Sequence, residues 1–200
     1  SILVNYGFGL LIGYTRNSKK RKIFFLVLSI VFNLALLFVF KYLSSAIQTV
    51  NYFMTSPIDV GQFTFALPVG ISFFTFQAIS YGIDVYRGSV GVQKNLLNFA
   101  LYLSFFPKLT QGPITKYTDF EPQIYGRKET VHKFSSGVCF FLVGLGKKVL
   151  LANSMATVAD RIFSLQQMEK LPVGLAWMGA IAYTFQIYFD FSGYSDMAIG

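Results

Sequence analysis

The chain has 200 residues, of which 54% are hydrophobic and only 13% are charged, and its mean hydropathy is +0.51. That balance excludes an ordinary soluble domain, because so apolar a surface needs lipid to cover it. The formal net charge is +8, but the Lys and Arg residues lie in short loops between apolar blocks and form no basic face, so no nucleic-acid partner is expected. The single cysteine, Cys139, excludes a disulfide within the chain.

The first half of the chain predicts two helices that cross a membrane. Residues 2–14 form part of one apolar block, and residues 23–43 form an almost uninterrupted second block, close to the roughly 20 residues that span the hydrocarbon. The loop at residues 16–22 is rich in Lys and Arg and is expected on the cytoplasmic side. The loop at residues 44–64 contains neither, and is expected outside.

The middle of the chain predicts one returning helix and one short apolar segment. Residues 65–86 form the returning helix and carry the polar residues Gln77 and Asp84. Residues 96–106 are too few to span the membrane unaided, and Lys and Arg flank them on both sides. They therefore predict a re-entrant or interfacial helix that dips in and returns on the cytoplasmic side.

The next predicted helix, residues 134–151, runs outward and contains a charged pair, Lys147 and Lys148. Because lipid contact would cost a few kcal/mol for each charge, both must face a cavity or the interface. Residues 153–172 are interpreted as an outer loop, since they show no positive excess.

The last predicted helix, residues 173–200, is polar on two sides, because its polar residues fall on two stripes at about 100° per residue. They are Gln186, Asp190 and Tyr194 on one stripe and Ser192 and Asp196 on the other. Such a helix is expected to be central in a bundle, or to unwind near Ser192 and Gly193, where its backbone would line a cavity. The structural alternative is that these groups only hydrogen-bond neighbouring helices.

No internal repeat, low-complexity tract or linker divides the sequence. The predicted fold is therefore all-α: a polytopic transmembrane helical bundle with a re-entrant or interfacial helix, forming a single membrane domain over residues 1–200. Both ends fall inside apolar stretches, so a fragment of a longer chain is expected.

Five motifs occur in one order along the chain. They are LPVGISFFTFQ at 67–77, YGIDVYRG at 81–88, FFP with QGPI at 105–107 and 111–114, GKKV at 146–149, and YFDFSGYSDMA at 188–198. This order resembles the alginate O-acetylation branch of the membrane-bound O-acyltransferases, which is related to the D-alanyl transfer protein of teichoic acids.

The resemblance implies a funnel-shaped helical bundle in the cytoplasmic membrane, in contact with membrane lipid. It implies that a cytoplasmic thioester, such as acetyl-CoA, donates an acyl group that crosses the membrane for O-acetylation of a cell-surface or exported polysaccharide. An extracytoplasmic acetyltransferase or polysaccharide-modification complex is the implied partner. No bound cofactor or metal is expected.

The resemblance also implies that the catalytic histidine lies in a Trp-His element beyond the segment matched here, so the chain alone is expected to be inactive. The histidine present, His132, lies in a basic stretch without a nearby nucleophile or carboxylate and is interpreted as a solvated loop residue.

The remaining candidate residues lie outside the last helix. Lys147 and Lys148 could draw an anionic donor toward the mouth of a channel, or anchor the helix at the interface. Gln111 and Pro113 flank a glycine after the short apolar segment, where they could shape a cytoplasmic mouth or merely turn the chain.

Two other functions remain open from the sequence. Intramembrane acids beside glycines also describe a transporter or flippase for a glycan or small anionic substrate. A purely structural membrane subunit would tolerate amide replacement of Asp190 and Asp196.

The charge asymmetry of the loops generates a prediction of topology. In a protein whose Cys139 is replaced, a cysteine introduced as Ser18→Cys should be protected from a membrane-impermeant maleimide added to intact cells, whereas Ser56→Cys should be labelled. The measurement is the labelled fraction before and after cells are opened. External labelling of Ser18→Cys would reverse the orientation.

Overall fold

The computed structural model describes residues 1–15, 18–53, 68–109, 112–113, 115–165 and 171–200. Over these ranges every regular element is helical, which confirms the all-α prediction. The chain divides into two compact units, the first comprising residues 1–110 with 114–127 and the second residues 111–113 with 128–200. The prediction of a single membrane domain stays a prediction.

The first unit contains seven α-helices and a π-helical segment among its described residues. They are α1 Ile2–Tyr14, α2 Lys19–Leu37, the π-segment Phe38–Tyr42, α3 Leu43–Asn51, α4 Ile71–Arg87, α5 Leu96–Ser104, α6 Phe106–Leu109 and α7 Tyr117–Gly126. Helices α1, α2 and α4 pack on one another, and α5, α6 and α7 pack against α4.

The second unit is simpler in its described part. Helix α8, Val131–Gly146, continues through a second π-segment, Lys147–Ala152, into α9, Asn153–Leu165, and α10 spans Val173–Ile199. Helix α10 packs along α8, the π-segment and α9.

Two continuous helices are long and apolar enough to cross a membrane, by length and composition, within the described ranges. They are Lys19–Asn51, with 33 residues, and Val131–Leu165, with 35. Large apolar side chains line their outer surfaces, with Val31 and Leu142 more than half exposed. Such exposure is typical of a surface covered by lipid.

Four predicted loops contain helix, and these predictions were wrong in part. Residues 44–51 belong to α3 and residues 153–165 to α9, because each π-segment carries the preceding helix onward without a break and both continuations are amphipathic. Helix α7 lies in the Lys- and Arg-containing stretch at residues 116–133, which follows the short apolar segment and is predicted to be a cytoplasmic loop; its Tyr117 packs in the core. Lys19, Lys20 and Lys22 likewise lie in the first turn of α2.

The short apolar segment agrees with its prediction in extent. Helix α5 ends at Ser104 and α6 ends at Leu109, so neither is long enough to span a bilayer. Asn95 caps α5 by accepting hydrogen bonds from Leu97 N and Asn98 N at 2.9 and 3.5 Å.

An aromatic cluster forms the core of the first unit. The fully buried Tyr81 ring on α4 lies 4.9 Å from that of Phe99 on α5 and 5.1 Å from that of Tyr117 on α7, between centroids. Tyr102 adds an edge contact to Tyr117 at 5.0 Å. These ring contacts hold the short helices against α4.

A reciprocal amide pair joins α1 to α2. Asn5 Nδ2 donates to Asn33 Oδ1 at 3.1 Å, and Asn33 Nδ2 donates to Asn5 Oδ1 at 2.6 Å. Both side chains are buried, and each also donates to a backbone carbonyl one turn earlier. The pair therefore fixes the contact of the two helices.

Replacing one member of this pair should destabilise the protein. Asn33→Ala leaves the Asn5 amide buried without its partner, which costs about 1–3 kcal/mol, so we expect a lower thermal midpoint in detergent. The double variant Asn5→Ala/Asn33→Ala should lose less than the sum of the two single changes. Val31→Ala, on an exposed position of the same helix, is the matched control. Additive losses would contradict the pairing.

Candidate functional site

Helices α8 and α10 approach each other closely along a seam of glycines. A Cβ added to Gly144 would lie 2.5 Å from the carbonyl oxygen of Gly193, and one added to Gly193 would lie 2.7 Å from that of Gly144. Gly137 faces Gly200 in the same way. Only residues without a side chain permit this backbone contact, which we call the glycine seam.

The glycine seam brings two lysines of the second π-segment to two acids of α10. Lys147 Nζ donates to Asp196 Oδ2 at 2.6 Å and to Ser192 Oγ at 3.0 Å. Lys148 forms an ion pair with Asp190. Consecutive helical residues point about 100° apart, so neighbouring lysines reach the two different stripes of α10.

The burial of these pairs is intermediate. The side chains of Lys147 and Asp196 are 31% and 22% exposed, and those of Lys148 and Asp190 are 42% and 36% exposed. Each charge therefore has both an opposite partner and a partly open side. In a membrane, such an arrangement avoids the cost of an unpaired charge and leaves polar groups for a cavity or interface.

The structure brings together five of the predicted site residues, Lys147, Lys148, Asp190, Ser192 and Asp196, and adds detail to two others. Helix α10 remains regular through Ser192 and Gly193, so the alternative that it unwinds there was wrong. Gln186 has a buried Oε1 without a hydrogen-bond partner among the described residues. Tyr194 lies one turn after Asp190, partly exposed.

The lysines were predicted either to draw an anionic donor or to anchor the helix. Their pairing with Asp190 and Asp196 balances their charge locally. An attraction for an anionic donor stays a prediction.

Three other predicted residues lie away from these ion pairs or outside the described ranges. Gln111 lies outside the described residues, while Pro113 is partly exposed beside the buried Gly112; their role at a channel mouth stays a prediction. His132 is exposed as expected, but it lies in the first turn of α8 and not in a loop. No group of three or more metal-ligating side chains was found in the described part of the chain.

A second polar cluster lies in the first unit and was not predicted from the sequence. Gln93 donates to the hydroxyls of Tyr117 and Tyr125 at 2.6 and 3.1 Å, while its backbone N–H donates to Tyr81 at 3.0 Å. Its Oε1 accepts from Asn95 N at 2.8 Å. Burial raises the pKa of Tyr117, which keeps that hydroxyl protonated. The cluster ties the loop before α5 to α4 and α7.

The two polar residues predicted in the returning helix are both buried on α4. Gln77 Nε2 donates to the carbonyl oxygen of Tyr102 at 2.7 Å, which joins α4 to α5. Asp84 Oδ2 has no hydrogen-bond partner within the described ranges.

The sequence matches the profile of the membrane-bound O-acyltransferase family over residues 90–200. It is 43% identical to the probable alginate O-acetylase AlgI of Pseudomonas syringae over 199 residues, which cover 98% of this chain and 38% of that protein. It is 33% identical to the peptidoglycan O-acetyltransferase of Helicobacter pylori, covering 100% of this chain and 42% of that protein.

A more distant similarity connects the chain to the teichoic acid D-alanyltransferase of Streptococcus thermophilus. The two are 28% identical over 136 residues, which cover 66% of this chain and 32% of that protein. The chain thus spans about two fifths of the length of the curated O-acetylating relatives it matches.

The glycine seam generates a prediction with an internal control. Gly193→Ala places a methyl group against the backbone of Gly144, so the helices must separate at a cost of about 1–3 kcal/mol. Gly174→Ala on the same helix meets nothing within 4 Å and should be neutral or stabilising, because Ala favours a helix over Gly by about 1 kcal/mol. The measurement is the thermal midpoint in detergent. Equal midpoints for the two variants would contradict the close approach.

Proposed function

This chain belongs to the membrane-bound O-acyltransferase family, and from that premise we propose that the whole protein is an O-acyltransferase that acetylates a polysaccharide. The main observation in support is that the family match, residues 90–200, includes both helices of the glycine seam and their paired charges. The names of the relatives, an alginate O-acetylase and a peptidoglycan O-acetyltransferase, support O-acetylation of a glycan.

The proposed reaction transfers an acetyl group from a cytoplasmic thioester, such as acetyl-CoA, to a hydroxyl. A carbon–oxygen bond forms, the carbon–sulfur bond breaks, the thiol leaves with a proton, and a general base takes the hydroxyl proton. The family resemblance assigns that base to a histidine beyond the matched segment. The residues of this chain contribute the helices of the glycine seam and the charges of their two ion pairs.

The paired charges have a defined task in this proposal. Lys148–Asp190 and Lys147–Asp196 join the second π-segment to α10 and are partly exposed. In this proposal their open sides face a polar passage for the acyl group. Preorganised dipoles and charges stabilise charge that develops on a thioester carbonyl oxygen. The proposed setting is a multi-pass protein of the cytoplasmic membrane, with an extracytoplasmic acetyltransferase or polysaccharide-modification complex as partner.

Transport of a glycan or small anion is the second candidate, because charged pairs inside membrane helices also occur in transporters. The family match and the transferase names of the relatives favour acyl transfer.

Replacement of Asp190 tests the proposal in the full-length protein. Asp190→Asn keeps the size of the side chain and removes its charge, so Lys148 loses its partner. We expect near-normal abundance in the membrane but at least a tenfold loss of ester-linked acetate on the polysaccharide, equivalent to about 1.4 kcal/mol in the barrier. Both quantities are measured in the same cells.

A double variant separates the charge of Asp190 from its pairing. Lys148→Gln/Asp190→Asn removes both charges and leaves no unpaired ion. If acetylation needs the carboxylate itself, the double variant stays as inactive as Asp190→Asn. Normal acetylation with either variant would refute a functional role for this acid and leave it a structural partner of Lys148.

A further inference from the structure

Helix α4 provides a scale of depth for the first unit. Its C-terminal end lies beside the charged start of α2, because Lys22 Nζ stands 5.4 Å from the ring centroid of Tyr86. Further along, a Cβ added to Gly82 would lie 3.7 Å from Leu26 of α2, so the two helices run antiparallel. At 1.5 Å per residue, Gly70 at the N-terminus of α4 lies about 24 Å from the level of Tyr86. That distance is most of the roughly 30 Å of hydrocarbon in a membrane.

Helices α5 and α6 run antiparallel to α4 and reach its N-terminus. Gln77 Nε2 on α4 donates to the carbonyl oxygen of Tyr102 on α5 at 2.7 Å. The carbonyl oxygen of Leu109, at the end of α6, occupies the space that a Cβ on Gly70 would fill. Seven residues separate these two contacts along α4, and seven separate them along α5 and α6. The end of α6 therefore lies at the level of the far end of α4, opposite to the charged start of α2.

The chain returns from this level and closes near the level where it entered. On the way back, the carbonyl oxygen of Thr115 accepts from the Tyr102 hydroxyl at 3.0 Å. Near the end of α7, the Tyr125 hydroxyl accepts from Gln93 Nε2 at 3.1 Å. The backbone N–H of Gln93 donates to the Tyr81 hydroxyl at 3.0 Å, and Tyr81 lies about two turns from the C-terminus of α4. Entry and exit are therefore joined to each other near one end of α4.

The deep part of this path contains non-helical backbone and exposed polar groups. Helix α5 ends at Ser104, and Phe105 after it has an extended conformation. Ser104 and Lys116 are both exposed. At membrane depth, non-helical backbone is tolerated only where it is buried in protein or lines water, and a charge in lipid is costly. Leu97 and Leu101, on the exposed face of α5, suit lipid instead.

We propose that residues 93–125 form a re-entrant loop that enters and leaves on the cytoplasmic side, and whose apex lines a water-filled cavity open to the extracytoplasmic side. Ser104, Thr115 and Lys116 are the described polar residues of this apex. The assignment reverses the side that the charge pattern predicts for Lys116. Because water then enters the outer half of the membrane, an acyl group that crosses beside the loop meets less hydrocarbon. That consequence rests on the proposed function, whereas the topology does not.

Two cysteines within one predicted cytoplasmic loop test the topology. In full-length protein without other cysteines, Lys116→Cys should be labelled by a membrane-impermeant maleimide in intact cells. Gly126→Cys, at the exposed end of α7, should be labelled only after the cells are opened. Leu101→Cys should react slowly in both preparations, because the reactive thiolate needs water. Membrane abundance of each variant is measured in the same cells.

Ser104→Cys is the second reporter of the apex and should behave as Lys116→Cys does. Labelling of both positions only in opened cells would place the apex on the cytoplasmic side and overturn the proposal. Protection of both in intact and opened cells would show a dry apex and would also overturn it. The same pattern is expected in the Asp190→Asn protein, in which polysaccharide acetylation is lost. Failure of the proposed function and failure of this topology are therefore distinguishable.

Discussion

The structure depends on one constraint: a polar group inside hydrocarbon must find its partner within the protein, because no water is available there. The internal polar side chains satisfy this requirement in different ways. Asn5 and Asn33 exchange two hydrogen bonds, Gln77 uses a backbone carbonyl, and the lysines of the second π-segment use carboxylates. In each case the partner is on another helical segment. The contact that satisfies the polar group therefore also holds the two helices together.

Because of that coupling, the ion pairs between the second π-segment and α10 depend on the glycine seam. Lysine and aspartate on neighbouring helices meet at hydrogen-bond distance only where the backbones come close, and Gly144 and Gly193 allow this approach. Side chains as large as Leu between the helices would hold them apart and leave each ion in lipid. The glycines therefore contribute to the electrostatics although they carry no charge.

The sequence predicted the helical class, the short apolar segment and the polar stripes of α10, because hydrophobic period and segment length are local properties. It did not predict which lysine meets which acid, since pairing between helices is tertiary. It also missed the continuations at α3 and α9, where π-segments leave no break in the chain. The hydrogen bonds of Gln93 could not be predicted, because its partners, Tyr117 and Tyr125, lie on a helix more than twenty residues away in the sequence.

The second π-segment has a consequence for the tolerance of the chain to insertions and deletions. A helix turns about 100° per residue, so deleting one residue within Lys147–Ala152 would rotate α9 by that angle about the axis of α8. Ala159 and Ile162, which are buried in the present structure, would swing away from α10 toward the lipid. Substitutions of the exposed Val149, Leu150 and Leu151 can be absorbed locally, whereas a change in the length of the segment rotates the helix that follows it. The number of residues in the second π-segment therefore determines which face of α9 packs against α10.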